Sequence, residues 1–346
     1  PKPSAMQLAD TPLGEYLTAK AQDAVSSGMH VVVKVVADVW RASTHPITRH
    51  YPYRSKAVFA FQRVDGGEVM LFGMYVREFG PEAYHANQSR AYVQCIDSTP
   101  LYGSEKGEER QELLTAILCG YFEFARSVGF EVVHLHVPPP TDETAYIFTS
   151  RSSHVRLRAC VHLAHWYRRL LEASANEMII HSFQASSECI NINFPPSVFD
   201  PEEAGAETAF RSCLSLPMHQ LLASLNGCHQ SAEMLQFIAS NTERFFVVNL
   251  LAPGHPIPVP EQPSPAMSCN TPAREDFVYI CEAERLQFYN LPFARYSSMM
   301  LTSHFLSEQR RSTAVDGPLG DMRSADLRAQ RQAEIAMQVH LMQQKW

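Results

Sequence analysis

The side chains best suited to chemistry are a few. Tyr167 directly follows Trp166. A phenol, with a reference pKa of about 10, keeps its proton at neutral pH and can donate it to a leaving group. By spacing alone, the same two residues are an aromatic pair packed in a core. Asp97-Ser98 closes an apolar run just before a loop and a helix. Ligands of α/β sheets collect outside such strand ends, although Asp and Ser are also common turn residues. Arg110 falls in the first turns of a helical pattern, where its planar donor fork suits phosphate oxygens and adds to the positive helix end. Glu108 and Glu109 beside it make a solvated helix face the competing reading. His136 titrates near working pH, so it is either a proton acceptor or a hydrogen-bonded wall residue. His45, His50, His134, His136, His154, His162 and His165 have no standard metal-site spacing, and no His-Glu-x-x-His run occurs, so no metal is expected.

Elements that could position these groups follow from periodicity. Residues 30–37, 56–64, 68–76 and 90–96 are strand-like, with the hairpin signal Asp65-Gly66-Gly67 between the second and third. Runs this apolar predict a sheet covered on both faces. Residues 107–128 carry Leu113, Leu114, Ile117, Tyr121, Phe124 and Val128 as a helical stripe, with Gly129 as the C-cap. Residues 130–137 return to a strand, so a parallel crossover is expected. Three prolines make 138–144 a loop. A helix over 161–174, a strand over 244–251 and a helix over 293–307 complete the pattern. The fold class expected is α/β: a central mixed, largely parallel sheet flanked by helices.

The 346 residues are 45% apolar and 19% charged, with a net charge of -7. That balance argues against broad nucleic-acid binding and suits a basic partner. No run of about 18 apolar residues suggests a membrane span. Eight scattered cysteines without a C-x-x-C pair predict reduced thiols and no zinc ribbon.

Several segments, in order, resemble the catalytic domain of the CREB-binding-protein family of histone acetyltransferases. They are 53–61 (YRSKAVFAF), Phe72-Gly73-Met74, Asn87-Gln88, Arg90, Tyr92, Ile96-Asp97-Ser98, Gly120-Tyr121 with Glu123, His134, Pro138-Pro139, Asp142, Tyr146-Ile147-Phe148 and Trp166-Tyr167. The later runs 245–248 and Ser297-Ser298-Met299-Met300 resemble the family's closing strand and helix. The resemblance spans 11–307, with loop insertions near 184–243 and 253–272, and leaves 308–346 as a C-terminal appendage.

The resemblance implies an acetyltransferase-like fold and transfer of acetyl from acetyl-coenzyme A to protein lysines, histone tails foremost, in the nucleus or also the cytoplasm. Tyr167 would be the general acid and Trp166 would lie along the cofactor. Ile96, Asp97, Ser98, Arg110, Gln111 and His162 would hold coenzyme A, and Asp142 and Glu143 would attract a basic substrate. The chain departs from the family pattern at Leu114, His136, Pro138, Gln111 and His162. The changes at 114, 136 and 162 support the alternative of a coenzyme A-binding interaction module with weakened transfer. Leucine in place of the family tyrosine at 114 also raises the question of longer acyl chains.

Overall fold

The computed structural model describes residues 3–45, 48–80, 88–103, 107–136, 147–148, 160–185, 245–252, 254–255 and 273–315. Seven strands form one sheet in the order β1-β2-β3-β4-β5-β7-β6. They are β1 (His30–His45), β2 (Thr48–Val64), β3 (Gly67–Phe79), β4 (Arg90–Ser98), β5 (Val132–His136), β6 (Ser182–Ala185) and β7 (Phe245–Asn249). The mixed sheet and its flanking helices match the expectation, but "largely parallel" needs correction. Among the described residues five pairings are antiparallel and only β4–β5 is parallel. The reason lies in the connections. Tight turns such as β2–β3 can join only antiparallel neighbours, whereas β4 reaches its parallel neighbour β5 through a crossover helix. The β2–β3 turn has both Asp65 and Gly66 at positive φ, as a two-residue hairpin of that twist demands.

Helices cover both faces. α1 (Pro12–Asp23), α2 (Gly107–Ser127) and α3 (Cys160–Asn176) share one core with Val33, Val58, Met74, Val93 and Leu135 of the sheet. On the other face, α4 (Arg274–Ala283) and α5 (Leu291–Val315) pack on Ala57, Phe59, Phe61, Met70 and Tyr75. α2 ends in a Schellman arrangement: Phe130 N–H donates to the Ala125 carbonyl and Gly129 N–H to that of Arg126, with Gly129 at φ 96°. The predicted glycine cap is therefore in place.

Three elements escaped sequence reading. α1 has only Leu13, Leu17 and Ala21 as its buried stripe, on a short helix opened by Pro12 and capped by Thr11. It shields the open edge of β1, because Gln22 Oε1 accepts from Val31 N–H and Thr18 Oγ1 from Val33 N–H. β6 is four residues long and held by β7. α4 places Phe277 and Cys281 in the core. The Ser297-Ser298 motif of α5 is an anchor: Ser298 Oγ accepts from Met70 N–H of β3 at 2.7 Å, and Ser297 Oγ accepts from Gln287 N–H at 2.8 Å.

β4 contains one extra residue. Tyr75 pairs with Cys95 and Val76 with Val93, so Gln94 bulges out. Val93 belongs to the α2 side, yet Cys95 belongs to the α5 side and Ile96 again to the α2 side. A bulge of this kind re-aims the side chains that follow it.

The parallel pair also buries His134 against Tyr92, with ring centroids 5.4 Å apart. An Arg90 guanidinium nitrogen lies 3.1 Å from His134 Nε2, so that nitrogen must accept and the ring stays neutral. Burial first, then the Arg90 charge, push the imidazole pKa down to about 3. The folded value lies below the unfolded one, so the stability it contributes is full above about pH 6.5 and is lost as pH falls, at about 1.4 kcal/mol per pH unit. Urea titrations at pH 7, 6 and 5 should show a shallower acid decline for His134→Leu than for the wild type. Equal slopes would rule out His134 as the source.

Candidate active site

The cleft begins where the two parallel strands part. β4–β5 pairing stops at Val93 and Leu135, while β4 continues along β3 to Ser98. Beyond that point, among the described residues, Ile96, Asp97 and Ser98 pair with β3 on one side only. In an α/β sheet the end of a crossover strand is where ligands gather.

After the bulge, alternate residues address opposite faces. Ser98 meets α2: an Arg110 terminal nitrogen donates to the Ser98 carbonyl at 3.1 Å and also to Ser98 Oγ. Arg110 and Gln111 are half-buried on the first turns of that helix. Glu109 is occupied elsewhere, since its Oε1 accepts from Ser26 N–H at 2.8 Å and from the Ser26 hydroxyl. The negative charge next to Arg110 is thus drawn toward the end of α1.

Asp97 addresses the other side. Its Oδ2 accepts from the Ile147 and Phe148 N–H groups, both at 3.1 Å, and its Oδ1 accepts from Ser98 N–H at 2.8 Å. Within the described residues this carboxylate therefore pins the 147–148 segment to the sheet. Gly73, the register partner of Asp97, makes room for it. A Cβ there would lie 2.9 Å from a Phe59 ring carbon and 3.2 Å from Ile147 Cγ2. Phe59 has no room to yield, packed against Tyr75, Phe148, Phe277 and Phe305. The motifs Phe72-Gly73 and Ile147-Phe148 therefore form one joint, closed by Asp97.

α3 brings the aromatic pair to the same region. Tyr167 is buried among Leu113, Ile117 and Leu135, and Trp166 is half-buried with its ring edge-on to Tyr167 at 4.8 Å. Burial first, then the neighbouring Cys95 and Asp97, hold the Tyr167 phenol above the ordinary tyrosine range. It is protonated at neutral pH and available as a donor. Among the described residues its hydroxyl has no hydrogen-bond partner. Cys95 is fully buried and its thiol is pushed up to about 12, chiefly by burial, so it is no nucleophile at neutral pH.

The structure thus links Ser98 to Arg110, sets Trp166 edge-on to Tyr167 near Asp97, and packs Ile96 on the same core as both aromatics, while Gln111 follows Arg110 on α2. His136 pairs with Phe245 at the end of β5 and His162 lies in the first turn of α3; only their backbone is described. Pro138, Asp142 and Glu143 lie outside the described residues. Cys95 and Gly73 were missed as site residues. The bulge that turns Cys95 to the α5 side leaves no mark on sequence periodicity.

Residues 21–189 match the family described as "Histone acetyltransferase domain KAT3". Protein cbp-1 of Caenorhabditis elegans is 32% identical over 134 residues, 39% of this chain and 6% of that protein. Over those residues the chain is similar to a histone acetyltransferase domain of the CREB-binding-protein type. The probable histone acetyltransferase HAC-like 1 of Oryza sativa subsp. japonica is 30% identical over 193 residues, 52% of this chain and 11% of that protein. The chain thus spans about a tenth or less of the length of these relatives. Rtt109 from Aspergillus fumigatus shares the fold, with a TM-score of 0.50 and 14% identity, over 86% of this chain and 96% of that one.

The residues present fit coenzyme A in donor chemistry. Ser98 and Arg110 form a linked hydroxyl and guanidinium at the start of α2, where helix N–H groups favour phosphate. Trp166 adds a half-buried aromatic wall beside Tyr167.

Proposed function

We propose that the domain transfers acetyl from acetyl-coenzyme A to lysine side chains of basic protein tails, histone tails foremost, with Tyr167 as general acid. The observation that carries this reading is the convergence of two groups on the open end of β4. One is Ser98 of β4 linked to Arg110 of α2, and the other is a buried, protonated Tyr167 on α3.

Acetyl-coenzyme A, when bound, supplies the acyl group as a thioester. Ser98, Arg110 and Gln111 hold its anionic part, and Ile96 and Trp166 line its path. Tyr167 keeps a proton at its phenolic oxygen and gives it to the departing sulfur as the acyl carbon–sulfur bond breaks. The apolar surroundings of Tyr167 exclude water and so favour the amine over hydrolysis. His136, at the end of β5, is the proposed acceptor of the lysine proton. A net charge of -7 favours a basic substrate. A histone substrate would put the work in the nucleus.

The test is mass spectrometry of histone peptides incubated with acetyl-coenzyme A and the protein, beside calorimetry with coenzyme A. Acetylated lysines above chemical background are expected. Binding without transfer on any peptide would replace the enzyme reading with that of an interaction module. No binding would defeat both.

A further inference from the structure

Between Ser98 and Arg110 runs a loop whose described part, 99–103, must keep the strand end and the helix start in one geometry. It is fixed at two places. At its start, Thr99 N–H donates to the Leu71 carbonyl at 2.9 Å and Thr99 Oγ1 donates to the Met70 carbonyl at 2.8 Å. At its far end no strand of the described residues pairs with it. The side chain of Gln62 on β2 takes that part instead. Its Nε2 donates to the Tyr102 carbonyl at 2.6 Å, and its Oε1 accepts from Tyr102 N–H at 3.1 Å.

Gln62 is 2% exposed, in the midst of an apolar strand. A primary amide carries one donor group and one acceptor side by side, so it satisfies both polar atoms of a single backbone residue. A buried polar side chain must be paired, and here two bonds go to the loop, while Nε2 also donates weakly to Met29 Sδ at 4.0 Å. Leu101 sinks into the core just before this point, and Gly103 follows at φ 79°. The loop is therefore held as a shaped connection from Ser98 toward α2.

We infer that Gln62 is a positioning residue for cofactor binding: through Tyr102 it sets the loop that aligns Ser98 with Arg110. The inference rests on the functional reading above. Without the clasp, the Ser98–Arg110 pair keeps its own bond but loses its fixed placement relative to the strand end.

The test compares wild type, Gln62→Leu and Gln62→Glu. Calorimetry with coenzyme A should show about tenfold weaker binding by Gln62→Leu, the size expected for two lost hydrogen bonds. Gln62→Glu keeps the acceptor for Tyr102 N–H and should fall in between, with circular dichroism checking that both variants fold. The KM for acetyl-coenzyme A should rise similarly, while kcat at saturating cofactor and the peptide KM stay near wild type. Amide exchange at 99–103 should quicken in Gln62→Leu. A purely structural role would instead lower stability and leave the cofactor affinity and KM unchanged, and that result would overturn the inference. If wild type binds coenzyme A and both variants bind equally well, the inference alone fails. If wild type does not bind, the functional reading fails and takes the inference with it.

Discussion

Tyr167→Phe is expected to lower acetyl transfer by about 10²–10⁴-fold, the usual contribution of a positioned general acid. Stability should barely move. The hydroxyl has no hydrogen-bond partner among the described residues, and the ring that fills the core among Leu113, Ile117 and Leu135 is retained. Coenzyme A affinity should also hold, because Ser98 and Arg110 are untouched. The loss therefore belongs in kcat, with KM for the cofactor near wild type. A variant that transfers acetyl at the wild-type rate would remove Tyr167 from the mechanism. A variant that loses cofactor binding instead would assign it to the wall of the site.

Glu78→Leu is expected to cost about 3–5 kcal/mol, the usual loss when one partner of a buried ion pair is removed. Asp38, Arg54, Lys56 and Glu78 are all buried on β1–β3, facing α2. Lys56 Nζ meets Glu78 Oε2 at 2.5 Å, Arg54 Nε meets Asp38 Oδ1 at 2.5 Å, and the buried Tyr121 hydroxyl of α2 donates to Glu78 Oε1 at 3.1 Å. Even with two cations adjacent, burial pushes the Asp38 carboxyl up to about 6, so each of these charges depends on the others. Taking out Glu78 leaves an ammonium and a phenol buried without their acceptor. Lys56→Met in the same chain removes the stranded charge, so the double variant should be more stable than Glu78→Leu alone. Urea unfolding of the two single variants and the double variant decides this. Strictly additive losses would show that the four charges do not act as one network. Because Tyr121 lies on the helix that carries Arg110, looser anchoring there should also weaken coenzyme A binding.

Much of this architecture was legible in the sequence, for physical reasons. α2 announces itself because one face is buried along its whole length, and Gly129 can adopt the positive φ that ends it. The Asp65-Gly66 turn is equally plain, since few residue pairs tolerate that geometry. Arg110, Trp166 and Tyr167 were found through resemblance, because spacing alone cannot separate a phenol at a cleft from one in a core. The direction of strand pairing was misread because an apolar run looks the same in parallel and antiparallel sheets. Gln62 and Cys95 were passed over for a different reason. Gln62 is one polar residue in an apolar strand, and its partner is a backbone forty positions away. Cys95 is assigned its side by a single extra residue that no periodicity shows.

That extra residue makes the site a matter of odd and even. With Gln94 in place, Ser98 reaches the guanidinium on α2 and Asp97 reaches the amides of 147–148. Were Gln94 drawn into the ladder instead of bulging from it, the two would trade addresses: a carboxylate would face the arginine, and a neutral hydroxyl would face the two amides. The letters Ile-Asp-Ser would be unchanged and the chemistry would be gone. In β4 the counting frame is as much a functional determinant as the residues, and two chains could share the whole motif yet differ in whether it can work.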